Sequence, residues 1–260
     1  MIPLSGSDFP STRVELEDAL RGGLAVFQAP RLRIEIDGEP PQLERLHIDL
    51  SGAHVPNALP PAGHGGEGAL AVRTLELRAQ PLRYENAEIS LEVNASDARL
   101  EFQRDRQNAP LLALTSARDG RIEIAMPRRD LEALVQTIAA RAAREHGVTI
   151  ERTTLRLDSA SSRGVDFAAE VIAQKLFMKT VIRLQGRLEI DEQLNARLAQ
   201  IECAGSGVIG SLGCNFLRPY FAQFQQQSFP LAAFALGGLR VVDVALDTGE
   251  PLRVTARLGS

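Results

Sequence analysis

The strand-to-helix junction at residues 120–147 reads GRIEIAMPRRDLEALVQTIAARAAREHG, and it contains both periodicities from which we predict the fold. Ile122, Ile124 and Met126 recur at every second position, which is typical of a strand with one buried face. Beyond Pro127, which suits a first helical turn, apolar residues recur at helical spacing until Gly147, which suits a helix end. This stripe consists of Leu131, Leu134, Val135, Ile138, Ala139 and Ala142. The junction therefore predicts a strand followed by a central helix over residues 127–146.

Period-two alternation recurs along most of the chain. It is found at residues 32–36, 46–50, 89–93, 99–103, 182–190 and 252–258. Strands with one solvent-exposed face are typical of antiparallel sheets, because parallel sheets are usually covered on both faces. In three predicted strands the alternation of apolar and polar residues shifts by one residue. A β-bulge at each shift would turn the apolar side chains back towards the core and increase the twist of the strand. These phase slips lie at Val72–Leu75, Ile150–Leu155 and Val241–Val244. We therefore predict an α+β fold, with a long, highly curved antiparallel sheet wrapped around one or two long amphipathic helices.

Two further helices are predicted. Residues 208–227 carry apolar residues on one helical face, and Pro219 predicts a kink or break near 217–218. A weaker pattern predicts a helix over about residues 12–27, while Gly and Pro predict a loop at 51–68 and a hairpin tip at 104–110. We expect a single elongated domain over residues 1–260. Its parts are a helix and strands (12–126), the central helix (127–146), strands (148–206), a kinked aromatic helix (208–227) and terminal strands (239–258).

Composition narrows the class of protein. The chain has 29 Lys and Arg against 33 Asp and Glu, and this mildly acidic balance argues against a nucleic-acid binder. A hydrophobic content of 44% is typical of a globular protein. We expect neither a transmembrane helix nor a signal peptide, and a cytoplasmic location is favoured. For Cys203 and Cys214, two unrelated buried thiols are favoured over a disulfide.

Catalytic and metal-binding motifs are incomplete in this sequence. Ser206 lies in a Gly-Ser-Gly run, but Ala204 stands where a hydrolase nucleophile elbow needs glycine. His54 and His64 share a loop without further metal ligands at a known spacing. The glycines at 205, 207 and 210 match a dinucleotide fingerprint, but without a βαβ unit a tight strand-to-helix turn is favoured. We therefore expect no enzyme, no metal and no cofactor.

Aromatic residues are concentrated towards the C-terminal end of the chain. Six of the twelve Phe and Tyr residues lie between Phe216 and Phe234. A helical stripe of aromatic residues usually belongs to a core, but it can also form the floor of an apolar groove. Both interpretations stay open at this point.

The order of these elements resembles the LmeA-like phospholipid-binding domain family of bacteria, which is similar to the tubular lipid-binding (TULIP) superfamily. The segments that carry the resemblance are GRIEIAM (120–126), PRRDLEALV (127–135), FPL (229–231), GLRVVDVALD (238–247) and LRV (252–254). The resemblance implies a long helix gripped by a highly twisted antiparallel sheet, with an elongated apolar groove between them. It also implies binding of phospholipid or another acyl-chain ligand, and no catalytic residues.

We therefore expect non-enzymatic binding of a lipid or fatty-acyl ligand in a groove between sheet and helix, with transient membrane contact and no nucleic acid. The expected groove lining is Leu134, Val135, Ile138, Phe216, Tyr220, Phe221 and Phe224. Arg128 and Arg129 are candidates for a phosphate headgroup at the helix start, with solvated surface arginines as the alternative. The alternative function is a structural or protein-interaction module with a solid core, which dimerises through sheet edges. The sequence leaves the oligomeric state open.

Overall fold

The computed structural model describes residues 1–55, 64–105, 107–144, 147–175, 178–231 and 239–259. The helices in these ranges are α1 (Arg13–Leu24), α2 (Arg128–Arg144) and α3 (Gly207–Gln226), with a 3₁₀ turn at Ala25–Phe27. The strands before α2 are β1 (Ile2–Pro3), β2 (Arg33–Glu39), β3 (Gln42–Asp49), β4 (His64–Tyr84), β5 (Ala87–Arg104), β6 (Pro110–Ser116) and β7 (Asp119–Met126). Those after α2 are β8 (Thr149–Ser161), β9 (Gly164–Lys175), β10 (Met178–Ile190), β11 (Asn195–Gly205), β12 (Ser228–Pro230), β13 (Arg240–Asp247) and β14 (Leu252–Gly259). The fold is α+β and built mainly of strands.

Nine strands form the larger sheet. Their order is β13-β14-β7-β5-β4-β3-β2, with β6 also paired to β5 and β1 paired to β6. The long strand β5 pairs with β7 through residues 90–96 and with β6 through residues 99–104. Strands β3 and β4 run parallel, so the expectation of a purely antiparallel sheet is wrong at this pair. Parallel neighbours need a crossover connection, whereas antiparallel neighbours can be joined by a tight hairpin.

The main core lies between α1 and the larger sheet. Thr12 begins α1, since its hydroxyl accepts the backbone N–H of Glu15 at 3.2 Å. Leu16, Leu20 and Leu24 follow at intervals of four, so they share one helical face, and all three are buried in the main apolar cluster. The N-terminal half of the chain therefore has a closed apolar core.

The other five strands form a smaller, wholly antiparallel sheet in the order β12-β11-β10-β9-β8. It meets the larger sheet at a small apolar cluster around Ile190, Leu194 and Val244. Arg163 and Asp243 form an ion pair of 2.6 Å across this contact. The opposite end of the smaller sheet adjoins the last turn of α2 and the first turn of α3.

Several sequence predictions are confirmed. Helix α2 occupies residues 128–144 of the predicted 127–146, and Glu145 and His146 lie outside the described residues. Gly147 adopts φ +66° and donates its N–H to the Arg144 carbonyl at 3.1 Å, which completes the expected helix end. Strands β5 and β6 flank the predicted hairpin tip at 104–110.

The predicted phase slips have two different structural causes. Register shifts occur as expected between Ile150 and Arg152 and between Val241 and Asp243. The bulge expected at Val72–Leu75 is wrong, because β4 keeps its register with β5 and with β3 at these residues. In β3 and β5, the strands on either side of β4, the buried residues switch from one side of the strand to the other beside the same residues of β4. No strand therefore needs an extra residue.

The long loop predicted at residues 51–68 is wrong in its last part. Strand β4 begins at His64, so residues 64–68 belong to the sheet. The middle of the predicted loop, residues 56–63, lies outside the described residues.

Candidate functional site

The smaller sheet has one apolar face and one polar face. Leu155, Ala169, Leu184 and Cys203 stand opposite one another across four strands, and their side chains share a face because successive residues alternate. We define the apolar face as Ile150, Thr153, Leu155, Leu157, Val165, Phe167, Ala169, Val171, Ala173, Thr180, Ile182, Leu184, Leu188, Ile190, Leu198 and Cys203. The opposite face carries charged pairs such as Arg183 and Glu170, which lie 2.8 Å apart.

The middle of the apolar face is only half-buried. Leu155, Phe167, Ile182, Leu184 and Leu188 all keep part of their surface in contact with solvent. Among the described side chains, neither apolar cluster includes a residue of α2 or α3. This face is therefore a broad apolar surface that is incompletely covered.

Helix α2 lies along the edge strand of the smaller sheet. Glu132 accepts the backbone N–H of Leu155 at 2.8 Å, and the Gln136 side-chain amide donates to the Glu151 carbonyl at 3.4 Å. These side chains satisfy backbone groups that an edge strand leaves unpaired. The helix therefore closes one side of the apolar face.

The apolar stripe of α2 does not enter a core. Leu134 and Val135 are half-buried, and Ile138 is 56% exposed. No residue of α2 is fully buried. The three groove residues predicted on this helix thus lie on a surface that an apolar partner could still cover.

A disulfide holds α3 at the other side of the apolar face. Cys203 of β11 is bonded to Cys214 of α3, with their Cα atoms 5.5 Å apart. The prediction of two unrelated thiols is therefore wrong. The chain reverses between Gly205 and Gly207, and the helix then carries Cys214 back over Cys203.

The glycine-rich turn before α3 is confirmed as a close strand-to-helix connection. Gly207 adopts φ +67°, a conformation that favours glycine. A Cβ atom on Gly210 would lie 2.7 Å from the Gly205 carbonyl carbon and 2.6 Å from the Thr180 hydroxyl oxygen. That hydroxyl donates to the Ser206 carbonyl at 3.0 Å. The helix backbone therefore packs directly against the strand backbone.

Helix α3 continues through Pro219, so a break near residues 217–218 is wrong. The helix is attached on both sides of the proline, by Cys214 before it and by Gln225 after it, whose amide donates to the Ile201 carbonyl at 3.4 Å. These attachments offset the hydrogen bond that proline removes. Of the predicted aromatic lining, Phe221 is half-buried, and the side chains of Phe216, Tyr220 and Phe224 lie outside the described part of the structure.

The two arginines predicted to hold a headgroup have different surroundings. Arg128 donates its backbone N–H to the Glu250 carboxylate at 3.3 Å and its guanidinium to the Thr248 carbonyl at 3.2 Å. The side chain of Arg129 is 82% exposed and pairs with Asp130 at 3.2 Å. A phosphate at the start of α2 would have to displace Glu250, and the headgroup role stays a prediction.

A separate polar cluster lies on the larger sheet. The Glu76 carboxylate is 2.8 Å from Arg45 and 3.1 Å from His47. The hydrogen bond from Arg45 is the main cause that lowers the pKa of Glu76. His47 is half-buried and its ring nitrogen pairs with Glu76. Within the described residues, no group of three or more His, Cys, Asp or Glu side chains is arranged to hold a metal.

Two open concavities lie over the sheets. One, of about 310 Å³, crosses β8, β9 and β10. Its lining includes Arg156, Glu170 and Arg183 of the polar face as well as Leu155, Ala169 and Leu184, so it does not mark the apolar face. The other, of about 760 Å³, crosses the larger sheet near Asn94, Arg121 and Arg257. Neither includes a residue of α2 or α3.

Sequence reasoning missed the strand residues of the site. Val165, Phe167, Ala169, Val171 and Ala173 alternate along β9 and form the middle of the apolar face. Their alternation is visible in the sequence. Which alternating face lacks a cover depends on the order of the strands, which only the structure reveals.

No protein-family model, curated protein or solved structure matches the chain. None of the helices in the described ranges has the length and apolar content that crossing a bilayer requires.

Proposed function

We propose that the protein binds a lipid or another acyl-chain ligand, without catalysis, over the apolar face of the smaller sheet. The observation that carries this proposal is the half-buried state of Leu155, Phe167, Leu184 and their neighbours. Helices α2 and α3 border the face on opposite sides, through Glu132 and Cys203 respectively. The space between the two helices is the groove of the proposal.

The driving force is burial of apolar surface. Each methylene that leaves water contributes about 0.8 kcal/mol, so a chain that buries eight methylenes gains roughly 6 kcal/mol before the cost of association. The charged opposite face, with Arg183 and Glu170, gives an acyl chain no comparable surface. Binding is therefore assigned to one face of one sheet.

The remaining parts of the proposal rest on the sequence pattern. We propose a TULIP-like arrangement, in which a curved sheet wraps the long helices, and membership of the LmeA-like family. Transient contact with a membrane surface would deliver or receive the ligand.

The compartment also belongs to the proposal. The sequence favours the cytoplasm, whereas the disulfide between Cys203 and Cys214 is typical of oxidising compartments. The disulfide is the more specific observation, so we favour an oxidising compartment.

Binding of the neutral fluorescent probe N-phenyl-1-naphthylamine tests the proposal, with displacement by monopalmitoylglycerol as the lipid readout. Leu184→Gln places an amide on the apolar face, and we expect binding to weaken about tenfold. Val181→Gln is the matched control, since Val181 is half-buried on the opposite face of the same strand. Its binding should stay within about twofold of the parent.

Two results would contradict lipid binding. The first is the absence of any probe uptake, and the second is an equal loss of affinity in both variants. Sedimentation velocity on the same samples tests the alternative function. A stable dimer that takes up no probe would favour the protein-interaction module, with a second copy covering the apolar face.

A further inference from the structure

Thr153 is a buried polar side chain without a partner. It lies on the apolar face of β8, directly opposite Val171 of β9, and is 5% exposed. Its hydroxyl has no hydrogen-bond partner among the described residues. Thr180 is the comparable case on the same face, and its hydroxyl is satisfied by the Ser206 carbonyl. A buried hydroxyl that stays unpaired lowers stability and calls for an explanation.

The position of Thr153 relates it to α2. The two hydrogen bonds that join α2 to β8 reach Leu155 on one side of Thr153 and Glu151 on the other. Helix α2 is also attached to other elements, through Arg128 to Glu250, through Asp130 to the Glu88 backbone and through Arg141 to Glu85. A ligand reaches the buried hydroxyl only if neighbouring side chains shift.

The charges around Thr153 restrict the chemistry of a partner. The Glu132 carboxylate lies at the backbone of Leu155, and the Glu151 carboxylate lies 2.8 Å from Lys179. Lys179 precedes Thr180, which lies on the apolar face, so the Lys179–Glu151 pair lies on the opposite face of the sheet. A fatty-acid carboxylate at Thr153 would still meet the negative charge of Glu132, which binds two residues further along β8. A neutral oxygen, such as that of an ester or an alcohol, avoids this repulsion.

We propose that the Thr153 hydroxyl anchors the neutral oxygen of an acyl ester or long-chain alcohol, while the chain lies along the row of Leu155, Ala169 and Leu184. This inference rests on the proposed function and adds a ligand class to it. Thr153 supplies the one hydrogen bond that orients the ligand, and the side chains around it shift to admit the polar end.

The test compares 1-dodecanol with dodecane as competitors for N-phenyl-1-naphthylamine. The measured quantity is the ratio of the dodecanol affinity to the dodecane affinity in each variant. This ratio reports the contribution of the ligand's hydroxyl group, because both ligands have the same twelve-carbon chain. Thr153→Val keeps the shape of the side chain, and we expect the ratio to fall about fivefold, the usual effect of one hydrogen bond. Thr153→Ser keeps the hydroxyl and should keep the ratio. Thr154→Val is the matched control, because Thr154 is exposed on the opposite face of the same strand, and its ratio should equal that of the parent.

The outcomes separate this inference from the function on which it rests. A parent protein that binds the probe, together with an unchanged ratio in Thr153→Val, overturns the anchor and leaves lipid binding intact. If Thr153→Val raises the melting temperature and leaves the ratio unchanged, the anchor is also overturned, because the hydroxyl then only destabilises the fold and binds no ligand. A parent protein that binds no probe overturns both proposals.

Discussion

Replacement of Gly210 by alanine tests how α3 is seated on the smaller sheet. Gly210 lies in the first turn of α3, where alanine normally stabilises a helix by about 1 kcal/mol relative to glycine. Helix propensity alone therefore predicts a more stable protein. The structure predicts the opposite sign, because the new methyl group has no room.

The magnitude follows from the close approach of Gly210 to Gly205. The added Cβ would lie 2.7 Å from the Gly205 carbonyl carbon, whereas ordinary contacts begin at 3.4 Å. The helix must therefore lift by about 0.7 Å, and overpacking of this kind typically costs 1–3 kcal/mol. After the gain in propensity of about 1 kcal/mol, we expect a net loss of up to about 2 kcal/mol. For a chain of this size, the melting temperature should fall by up to roughly 8 °C.

Differential scanning calorimetry on oxidised protein measures this effect. Ser211→Ala is the matched control, since Ser211 is exposed on the neighbouring position of the same helix. It should change the melting temperature by less than about 2 °C. A Gly210→Ala protein that melts above the parent would refute the close packing of α3 on β11.

Three further predictions concern other parts of the fold. Reduction with dithiothreitol, or Cys203→Ser with Cys214→Ser, should lower the stability by about 3 kcal/mol in a urea titration, as a loop of this length predicts. Two titratable thiols in the unreduced, unfolded protein would show that the disulfide is absent. Glu76→Gln should lower stability at pH 7 by less than about 1 kcal/mol, since the pair is partly exposed. The bond from Arg45 lowers the folded-state pKa of Glu76, so this difference should be complete above the usual value of 4.5 and shrink as the pH falls below it. A difference that does not shrink in acid would argue against the pair. Thr12→Ala should cost about 1 kcal/mol in the same titration through loss of the α1 cap, and Thr12→Ser should restore most of it.

The strands and the central helix could be predicted from the sequence because their signals are local. Alternation places residues on one face of a strand, and Gly147 marks the end of α2 through its own backbone conformation. The parallel pairing of β3 with β4 has no local signal, since it depends on a crossover whose path the sequence pattern leaves open. The helix-breaking tendency of proline favours a break at Pro219. Helix α3 nevertheless continues, and it is attached to β11 on both sides of the proline through Cys214 and Gln225.

The candidate site was predictable only in part. The stripe of α2 was visible in the sequence, including Leu134 and Val135. Its incomplete burial depends on how α2 lies against β8, where Glu132 and Gln136 form hydrogen bonds with the strand backbone. The disulfide was missed because a separation of eleven residues permits many geometries, and only the tight turn at Gly205 brings the two cysteines together.

Photo-crosslinking with a diazirine-labelled long-chain alcohol tests the central claim most directly. Peptide mapping by mass spectrometry then locates the residues that the bound chain contacts. The account predicts adducts on the apolar face, at Leu155, Phe167 or Leu184, which unlabelled alcohol suppresses. Adducts confined to the polar face around Arg183 and Glu170, or no adducts above the unirradiated control, would contradict it.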